Sequence, residues 1–447
     1  MPSMPAASTR RYDVAIVGAG AAGLAAAFRL SREGVSVALL ESRGRVGGRV
    51  WTRRRAGWPV PLELGPEFVH GRDEEFFRLL AEANLAAVRL PDAHVEIAGS
   101  RVRPLTDLWG KFDAMTRRIG RGADARDRSV AEELRRRRRS FTSEERRLLT
   151  TMVEGYDASP IEKASAKALS TAGEPPTRDD DDDDRAQFRP IDGYGALVDW
   201  LLGRIDPSRA KLFRSTVVRR IAWSRRGGTR ILTNEGEFRA ARVLVTVPVG
   251  VLRAPAGSPG AIAFDPDPPA LRRAVSGLAM GDVVRLVLRF REPFWREAPR
   301  LKRSGHGGAN FLHLPGAPFP TWWTCAPVEA PVVTAWSGGT AAASLLRLPK
   351  RRIVRAALET LAGALGVPPS HASRRLLDWD FHDWSADPFA RGAYSYALVG
   401  GAGAGRTLAR PIEDVLFFAG EAVGERDSGT VPAAIASGDR AARRILS

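Results

Sequence analysis

Residues 14–30 read VAIVGAGAAGLAAAFRL, and this stretch decides the fold. Residues 14–17 form a continuous apolar run, which is typical of a strand buried on both faces of a parallel sheet. Gly18, Gly20 and Gly23 follow as G-x-G-x-x-G and open an Ala-rich helix. That spacing permits a tight turn, close approach of backbone to a pyrophosphate, and a helix N-terminus facing the negative charge. The stretch therefore predicts a βαβ unit that binds a dinucleotide.

A second predicted strand, VSVALLE, ends at Glu41, which lies 18 residues beyond Gly23. An acid at about this distance commonly accepts a hydrogen bond from the ribose 2′-hydroxyl of a dinucleotide. The turn and the acid together favour a Rossmann-like fold. They leave open whether the dinucleotide is a pyridine nucleotide or FAD.

The composition limits the other classes of protein. A chain of 447 residues is too long for one ordinary core, so two or three domains are expected. Cys325 is the only cysteine, which excludes an internal disulfide and a cysteine-rich metal site and suits a cytoplasmic protein. The six histidines show no metal-binding spacing, so we predict no metal.

The net charge of +17 indicates neither a nucleic-acid partner nor a membrane. The densest basic run, residues 135–139, has acidic neighbours in a helical pattern and predicts a solvated helix face. No apolar run approaches the roughly 18 residues of a membrane span, and residues 1–9 resemble a flexible tail rather than a secretory signal.

The order of patterns along the chain predicts a discontinuous domain. Residues 72–169 read mostly as helix, and residues 173–187, GEPPTRDDDDDDRAQ, read as a solvated loop. Alternating β segments follow, and the chain ends in another buried strand, a glycine turn and a helix. We predict an α/β fold in which a Rossmann-like dinucleotide-binding domain carries an inserted α+β substrate domain with an antiparallel sheet. The predicted segments are 10–71, 186–256 and 405–447 for the first domain and 72–185 and 257–404 for the second.

The segment LLESRGRVGGRVWT resembles the signature of the flavin-containing amine oxidase family, which includes monoamine, polyamine and L-amino-acid oxidases and histone demethylases. The resemblance rests on Glu41, Val46, Gly47, Gly48 and Arg49. It continues through ELGPEFVHG, IDGYGALVDWL, WSADPFARGAYSY and the C-terminal LFFAGEAVGERDSGTVPAAIASG. It covers nearly the whole chain except the helical region and the acidic loop, and it favours FAD.

The resemblance implies a set of FAD contacts. The glycine turn would hold the pyrophosphate, Glu41 the ribose, Arg49 the phosphate charge, and the backbone at Val218 the adenine. A helix beginning near Thr430 and Val431 would direct its N-terminus toward the flavin pyrimidine ring. The full set of implied cofactor residues is Gly18, Gly20, Ala21, Ala22, Gly23, Glu41, Ser42, Arg43, Gly48, Arg49, Gly65, Pro66, Glu67, Val218, Val247, Trp384, Gly420, Glu421, Thr430 and Val431.

The same resemblance implies hydride transfer from the carbon beside an amine nitrogen to flavin N5, with an imine as product. Primary and secondary amines, including polyamines, are the expected substrates. Tyr394 occupies the position of one pocket tyrosine, whereas Thr430 stands where monoamine oxidases have the second. His70 is the leading polar pocket candidate, and Glu67 is a weaker candidate for a cationic substrate group.

Two positions depart from the family pattern. Ala393 replaces the cysteine that binds flavin covalently in monoamine oxidases, so non-covalent FAD is expected. Arg285 stands where the family usually has a lysine linked to oxygen reactivity, and the exchange is not conservative. We therefore expect either slow reaction with oxygen, or another electron acceptor, or an Arg285 side chain that points elsewhere.

Three other functions remain open at this point. An L-amino-acid oxidase would need an arginine that clamps the substrate carboxylate. A desaturase-like flavoprotein would share the nucleotide motifs, and an FAD-bound protein without turnover would act through its basic surface. The sequence is compatible with a monomer or a homodimer.

Overall fold

The computed structural model of the protein describes residues 10–120, 126–172, 186–423 and 428–447. The predicted tail, residues 1–9, and most of the predicted acidic loop lie outside the described residues. The chain divides into two compact units. Unit 1 comprises Met1–Val50, Gly195–Met280 and Ala386–Ser447, and unit 2 comprises Trp51–Tyr194 and Gly281–Ser385.

The first half of the strands, in chain order, are β1 (Arg10–Val17), β2 (Val37–Leu40), β3 (Thr52–Arg53), β4 (Leu62–Glu63), β5 (Val69–His70), β6 (Ala87–Arg89), β7 (His94–Ala98), β8 (Arg101–Pro104), β9 (Gln187–Pro190), β10 (Ala210–Phe213) and β11 (Val218–Ser224). The second half are β12 (Gly228–Thr233), β13 (Gly236–Val245), β14 (Ala263–Asp265), β15 (Leu278–Met280), β16 (Val283–Phe290), β17 (Phe311–His313), β18 (Thr321–Thr324), β19 (Val332–Gly338), β20 (Leu376–Asp380), β21 (Ser395–Ala397) and β22 (Leu416–Phe418).

The α-helices are α1 (Ala21–Arg32), α2 (Glu74–Glu82), α3 (Leu108–Gly120), α4 (Val130–Arg136), α5 (Ser143–Gly155), α6 (Ala166–Ala172), α7 (Tyr194–Gly203), α8 (Val249–Leu252), α9 (Pro269–Ser276), α10 (Pro299–Arg303), α11 (Gly339–Leu345), α12 (Lys350–Leu365), α13 (Pro369–Arg375), α14 (Ala404–Leu408) and α15 (Val431–Leu446). No helix among the described residues is both long enough and apolar enough to cross a membrane.

Unit 1 is built on a mixed sheet of order β10-β2-β1-β13-β12-β11-β14, in which β22 also pairs with β13. The strands β10, β2, β1, β13 and β22 run parallel to one another, and β12 pairs antiparallel with β11 and β13. Helices α1 and α15 pack closely because Gly438 has no side chain. A Cβ there would lie 2.1 Å from the carbonyl oxygen of Ala22. This is the predicted Rossmann-like domain assembled from separate chain segments.

Unit 2 contains a seven-stranded sheet of order β20-β16-β19-β18-β17-β7-β8 and a smaller sheet, β5-β9-β6. The strands of the large sheet pair antiparallel except β17 and β7, which run parallel. One face of this sheet and helices α11, α12 and α13 share a large apolar core. The predicted fold class, with helices and a largely antiparallel sheet in the inserted part, is confirmed.

The helical prediction for residues 72–169 is wrong in one part. Residues 87–104 contain the strands β6, β7 and β8, and β7 and β8 form a hairpin at Gly99, which has φ +60°. The segment HVEIAGSRVRP alternates apolar and polar residues around a glycine, a strand pattern. Helical periodicity on either side obscured it.

The units divide at positions different from the predicted domain boundaries. Residues 51–71 belong to unit 2 because β3 pairs with β4 and β5 pairs with β9. Residues 257–280 belong to unit 1 because β14 extends its sheet beside β11. Residues 386–404 join unit 1 because β21 pairs with β15. Strand pairing decides the division between the two units.

Candidate active site

The glycine turn between β1 and α1 is tightly packed in unit 1. Gly18 has φ +106°, which few residues other than glycine adopt. A Cβ at Gly23 would lie 2.0 Å from the carbonyl oxygen of Gly18, so only glycine allows α1 to start this close to the strand. The Thr246 hydroxyl donates to the carbonyl oxygens of Val17 and Gly18 at 3.0 and 2.9 Å. Sequence reasoning missed this support from Thr246, which follows β13.

Glu41 joins this turn to the next motif. Its carboxylate is buried and accepts the backbone N–H of Ala19 at 2.8 Å and that of Arg43 at 2.9 Å. The N–H of Gly47 donates to the carbonyl oxygen of Ala19 at 2.8 Å. The glycine turn and the segment that follows Glu41 therefore contact each other, and hydrogen bonds to Glu41 fix the backbone of both.

The residues present fit a dinucleotide phosphate. No side chain of the described residues caps the N-terminus of α1, and the first turn of that helix contains no acid. A Cβ at Gly20 would meet nothing closer than 3.9 Å, and one at Gly420 would meet nothing within 4 Å. The start of α1 thus has neither a side-chain cap nor an acid, and this suits a phosphate group at the helix N-terminus.

A second part of unit 1 forms a small cleft. Four residues of the implied cofactor set line it, namely Arg49, Val247, Gly420 and Glu421. Arg49 pairs with the Glu421 carboxylate at 2.8 Å and donates to the carbonyl oxygen of Ala393 at 2.8 Å. The charge of Arg49 is therefore already balanced by a buried acid of the same unit.

Helix α15 begins at Val431, as predicted, and Thr430 is its N-cap. The Thr430 hydroxyl accepts the backbone N–H of Ala433 at 3.2 Å, and a proline occupies the first turn. Gly429, with φ +89°, lies against the ring of half-buried Tyr394. Thr430 thus acts through a backbone hydrogen bond, and Tyr394 lies beside the start of this helix.

Three other implied cofactor residues of unit 1 have the following contacts. Arg43 pairs with Asp387 at 2.7 Å, and Ser42 donates to Glu41 at 3.3 Å. Val218 begins β11 and pairs with Thr233 at an irregular point of the register. In unit 2, the indole N–H of buried Trp384 donates to the carbonyl oxygen of Leu64 at 2.7 Å, directly before Gly65 and Pro66.

Unit 2 buries a group of charges that we call the Glu67 cluster, consisting of Glu67, Arg189, Arg285 and Trp323. One Glu67 oxygen accepts from Arg189 at 2.8 Å. The other accepts from Arg285 and from the Trp323 indole N–H, the latter at 2.8 Å. Arg285 also donates to the carbonyl oxygen of Gly65 at 2.8 Å, and its buried Nε finds no partner among the described residues.

This pairing limits the charge that Glu67 and Arg285 can offer to a substrate. Burial alone would raise the pKa of Glu67, but the charges of Arg285 and Arg189 lower it below its ordinary value. Two arginines balance the single carboxylate, so Glu67 offers no uncompensated negative charge to a substrate cation. Arg285 is bound to the loop that contains Gly65 and Glu67 rather than being free to clamp a substrate carboxylate.

His70 lies in a second group in unit 2, the aromatic cluster of His70, Trp109 and Tyr156. The ring centroids are 5.2 Å apart for His70 and Tyr156, 6.2 Å for His70 and Trp109, and 4.8 Å for Trp109 and Tyr156. The His70 imidazole is reachable by solvent, yet the surrounding protein lowers its pKa below the ordinary value by desolvation. It is therefore neutral at pH 7. Trp109 and Tyr156 come from the helical region, where the resemblance is weakest.

Glu63 is a buried acid without a full set of partners. One oxygen accepts from the Thr52 hydroxyl at 2.8 Å and the Tyr194 N–H at 2.7 Å, but the other has no partner among the described residues. Desolvation raises the pKa of Glu63 to about 7, against an opposing effect of Thr52 and Arg285. The folded protein therefore holds this carboxyl in its protonated form below pH 7.

Glu63 should make stability depend on pH. Below its ordinary pKa of 4.5, Glu63 is protonated in both the folded and the unfolded chain and contributes nothing. Between pH 4.5 and about 7 only the unfolded chain releases the proton, so the free energy of unfolding falls by on the order of 3 kcal/mol and then stays level. Glu63→Gln should remove this loss. Urea unfolding of the wild type and of Glu63→Gln at pH 4.5 and pH 8 measures the two free energies of unfolding. If these differ by the same amount at both pH values, the prediction for Glu63 is wrong.

These sites belong to a known class of enzyme. The chain matches the family described as flavin containing amine oxidoreductase over residues 21–446. The protein is therefore a member of the flavin-containing amine oxidoreductases, a family of oxidoreductase enzymes. Glu41 and the V-G-G-R segment lie near the start of this match, and Gly18 and Gly20 directly precede it.

Curated relatives include several members of that family. Lysine-specific histone demethylase 1 homolog 3 of Arabidopsis thaliana is 28% identical over 507 residues, which cover 97% of this chain and 30% of the relative. Polyamine oxidase 2 of Arabidopsis thaliana is 25% identical over 474 residues, which cover 97% of this chain and 88% of the relative. The chain thus spans less than a third of the first protein and most of the second.

Solved structures show the same fold. Putrescine oxidase bound to putrescine superposes with a TM-score of 0.79 at 22% identity, covering 98% of this chain and 99% of the other. Cyclohexylamine oxidase from Brevibacterium oxydans superposes with a TM-score of 0.79 at 21% identity, covering 97% and 98%.

Proposed function

We propose that the protein oxidises primary or secondary amines, including polyamines, with non-covalently bound FAD. The carbon beside the amine nitrogen loses a hydride, the nitrogen lone pair forms the C=N bond of an imine, and water hydrolyses the imine. FAD supplies the hydride acceptor in this reaction. The observation that carries the proposal is the glycine turn of unit 1, locked by Glu41 and open at Gly20, in a chain of this enzyme family.

Unit 1 supplies the groups that would hold FAD. The N-terminus of α1, which no side chain of the described residues caps, suits its pyrophosphate, and the N-terminus of α15 suits negative charge. Ala393 offers no nucleophile for a covalent link. Burial raises the pKa of Cys325 to about 12, so its thiol stays protonated and unreactive.

Unit 2 supplies side chains suited to the amine. An amine donates hydride only when neutral, and an aromatic environment both attracts the cation and disfavours the charged form. The neutral imidazole of His70 adds no repulsion. The second arginine of the Glu67 cluster leaves no acid there to hold the reacting nitrogen as an ammonium ion.

The properties of Arg285 bear on how the reduced flavin would be reoxidised. Its guanidinium is permanently charged and bound to Glu67 and Gly65, so it cannot exchange protons as a lysine can. We propose that reoxidation by oxygen is slow and that another acceptor serves in its place.

An anaerobic titration tests both the substrate class and the slow reaction with oxygen. Purified protein is mixed with amines, polyamines and L-amino acids while the visible flavin absorption is followed. We expect amines to bleach the band and L-amino acids to leave it unchanged. Admitting air should restore the colour only slowly. Bleaching by L-amino acids alone would refute the amine assignment, and colour return at an ordinary oxidase rate would refute the slow oxygen reaction.

Acid precipitation of the same sample tests the binding mode. Non-covalent FAD should remain in the supernatant with the full flavin absorption of the native protein. Flavin that stays with the precipitated protein would contradict the proposal.

A further inference from the structure

Tyr394, which the family resemblance places at the amine, lies in an irregular part of unit 1. It directly precedes β21 and is itself part of neither a strand nor a helix. Shortly before it, Arg391 and Gly392 have φ values of +57° and +134°. Regular secondary structure therefore does not fix the backbone of this tyrosine, and the position of its ring depends on the contacts of its neighbours in the chain.

Glu421 and Arg49 hold the backbone on both sides of Tyr394. Before the tyrosine, Nη1 of Arg49 donates to the carbonyl oxygen of Ala393 at 2.8 Å. After it, the hydroxyl and the backbone N–H of Ser395 donate to Oε2 of Glu421 at 2.7 and 3.3 Å. The same nitrogen of Arg49 donates to Oε1 of Glu421 at 2.8 Å. These bonds form a continuous link from Ala393 to Ser395.

This link is buried and involves charged groups. The side chains of Glu421 and Arg49 are 7% and 21% exposed, and Ser395 is buried. Hydrogen bonds to a carboxylate are stronger than those between neutral groups, and a low local dielectric strengthens them further. Both carboxylate oxygens of Glu421 accept from groups of unit 1, so this side chain is bound to the segment that contains Tyr394.

The backbone of Glu421 reaches the ring of Tyr394 by a second route. The N–H of Gly429 donates to the carbonyl oxygen of Glu421 at 3.2 Å. A Cβ at Gly429 would lie 3.5 Å from Cδ2 of Tyr394, which is an ordinary van der Waals distance. The carboxylate of Glu421 thus fixes the backbone of the tyrosine, and its carbonyl oxygen fixes the residue that lies against the ring.

We propose that Glu421 and Ser395 are positioning residues for Tyr394 in amine oxidation. They act through the tyrosine ring, which they hold in the orientation that meets the amine. The proposal rests on the proposed amine oxidation and adds to it. Since Arg49 and Glu421 also line the cleft of unit 1, the pair that borders the implied cofactor site is the pair that holds this tyrosine.

Nitration by tetranitromethane measures how firmly the ring of Tyr394 is held, and peptide mass spectrometry identifies the nitrated tyrosine. In the flavin-loaded protein, Ser395→Ala should raise the rate at Tyr394 by about threefold or more, because one hydrogen bond to a charged group is lost. The rate at Tyr12, which is half-buried in the same unit, should stay unchanged. Thr229→Val is the matched control, since it removes another buried hydroxyl of unit 1, which donates to Ala240 at 2.8 Å. An equal rise in both variants would mean general loosening of the unit and would overturn the proposal.

A double-mutant cycle tests whether Ser395 acts through Tyr394. The rate of flavin bleaching by n-butylamine is measured without air at increasing amine concentrations. Ser395→Ala should lower kcat/KM by about tenfold, chiefly by raising KM, because a misplaced ring attracts the amine less well. In the Tyr394→Ala background the same change should have no further effect. Equal fold losses in both backgrounds would show a merely structural role for Ser395 and would refute positioning.

Nitration does not depend on catalysis, so the two proposals can fail separately. Faster nitration of Tyr394 in Ser395→Ala, in a protein whose flavin no amine bleaches, would support the positioning of the ring and refute the amine oxidation. Unchanged nitration of Tyr394 in a protein that amines do bleach would refute the positioning role alone.

Discussion

Replacing Glu67 by alanine is expected to lower the free energy of unfolding by about 3–5 kcal/mol. The Glu67 side chain is 10% exposed and those of Arg285 and Arg189 are 5% and 11% exposed. Its removal leaves two guanidinium groups buried without a carboxylate. Backbone carbonyl oxygens accept from both arginines, but they do not supply the missing negative charge. Urea unfolding followed by tryptophan fluorescence measures the loss, with Trp323 as a reporter inside the cluster.

An exposed ion pair of the same unit provides the control. Arg54 and Asp192 are 3.1 Å apart, with side chains that are 65% and 54% exposed. Asp192→Ala should cost less than about 1 kcal/mol, because solvent screens this pair. Glu67→Gln keeps the hydrogen-bonding shape and removes only the charge, so its cost isolates the electrostatic part. Similar costs for Glu67→Ala and Asp192→Ala would show that the buried cluster contributes no more than a surface pair.

Gly23→Ala is expected to abolish flavin retention. A Cβ at this position would lie 2.0 Å from the Gly18 carbonyl oxygen and 3.0 Å from the Thr246 hydroxyl oxygen. Both contacts lie on backbone or on a side chain fixed by hydrogen bonds, so α1 must move away from β1. Overpacking of this kind costs about 1–3 kcal/mol, and the displaced N–H groups lose the phosphate. We expect the bound flavin of the purified variant to fall by roughly tenfold or more.

Gly203→Ala is the matched control. Gly203 ends α7 in the same unit, and a Cβ there would meet no atom within 4 Å. This variant should retain flavin at the wild-type level. The ratio of flavin to protein absorbance after gel filtration measures both variants. Equal flavin content in the two would mean that the turn is not the phosphate site.

The sequence was most informative where function resides in consecutive residues. Gly18, Gly20 and Gly23 predict the turn because backbone conformation at those positions depends on which residues lack a Cβ. The resemblance predicted that α15 starts near Thr430 and Val431, and the structure shows the local reason, since Thr430 caps the helix and Pro432 follows in its first turn. Family membership also followed from such local segments.

Local sequence patterns were misleading where distant strand pairing decides the secondary structure and the boundaries of the units. The strands within residues 87–104 were assigned to a helical region, although β7 pairs with β17 from more than 200 residues later. The boundaries between the two units also depend on pairings such as β5 with β9 and β14 with β11. No short window of sequence contains both partners of these pairs.

The sequence by itself determined the glycine turn, the enzyme family and the two-part fold, because each depends on motifs whose geometry is local. Only the tertiary structure decided that Glu67 is neutralised by Arg189 and Arg285, which lie 122 and 218 residues away in the chain. It also decided that Tyr156 and Trp109 join His70. The physical reason is that charge balance and ring packing depend on which side chains the sheets bring together, and sheet register is a property of the whole fold.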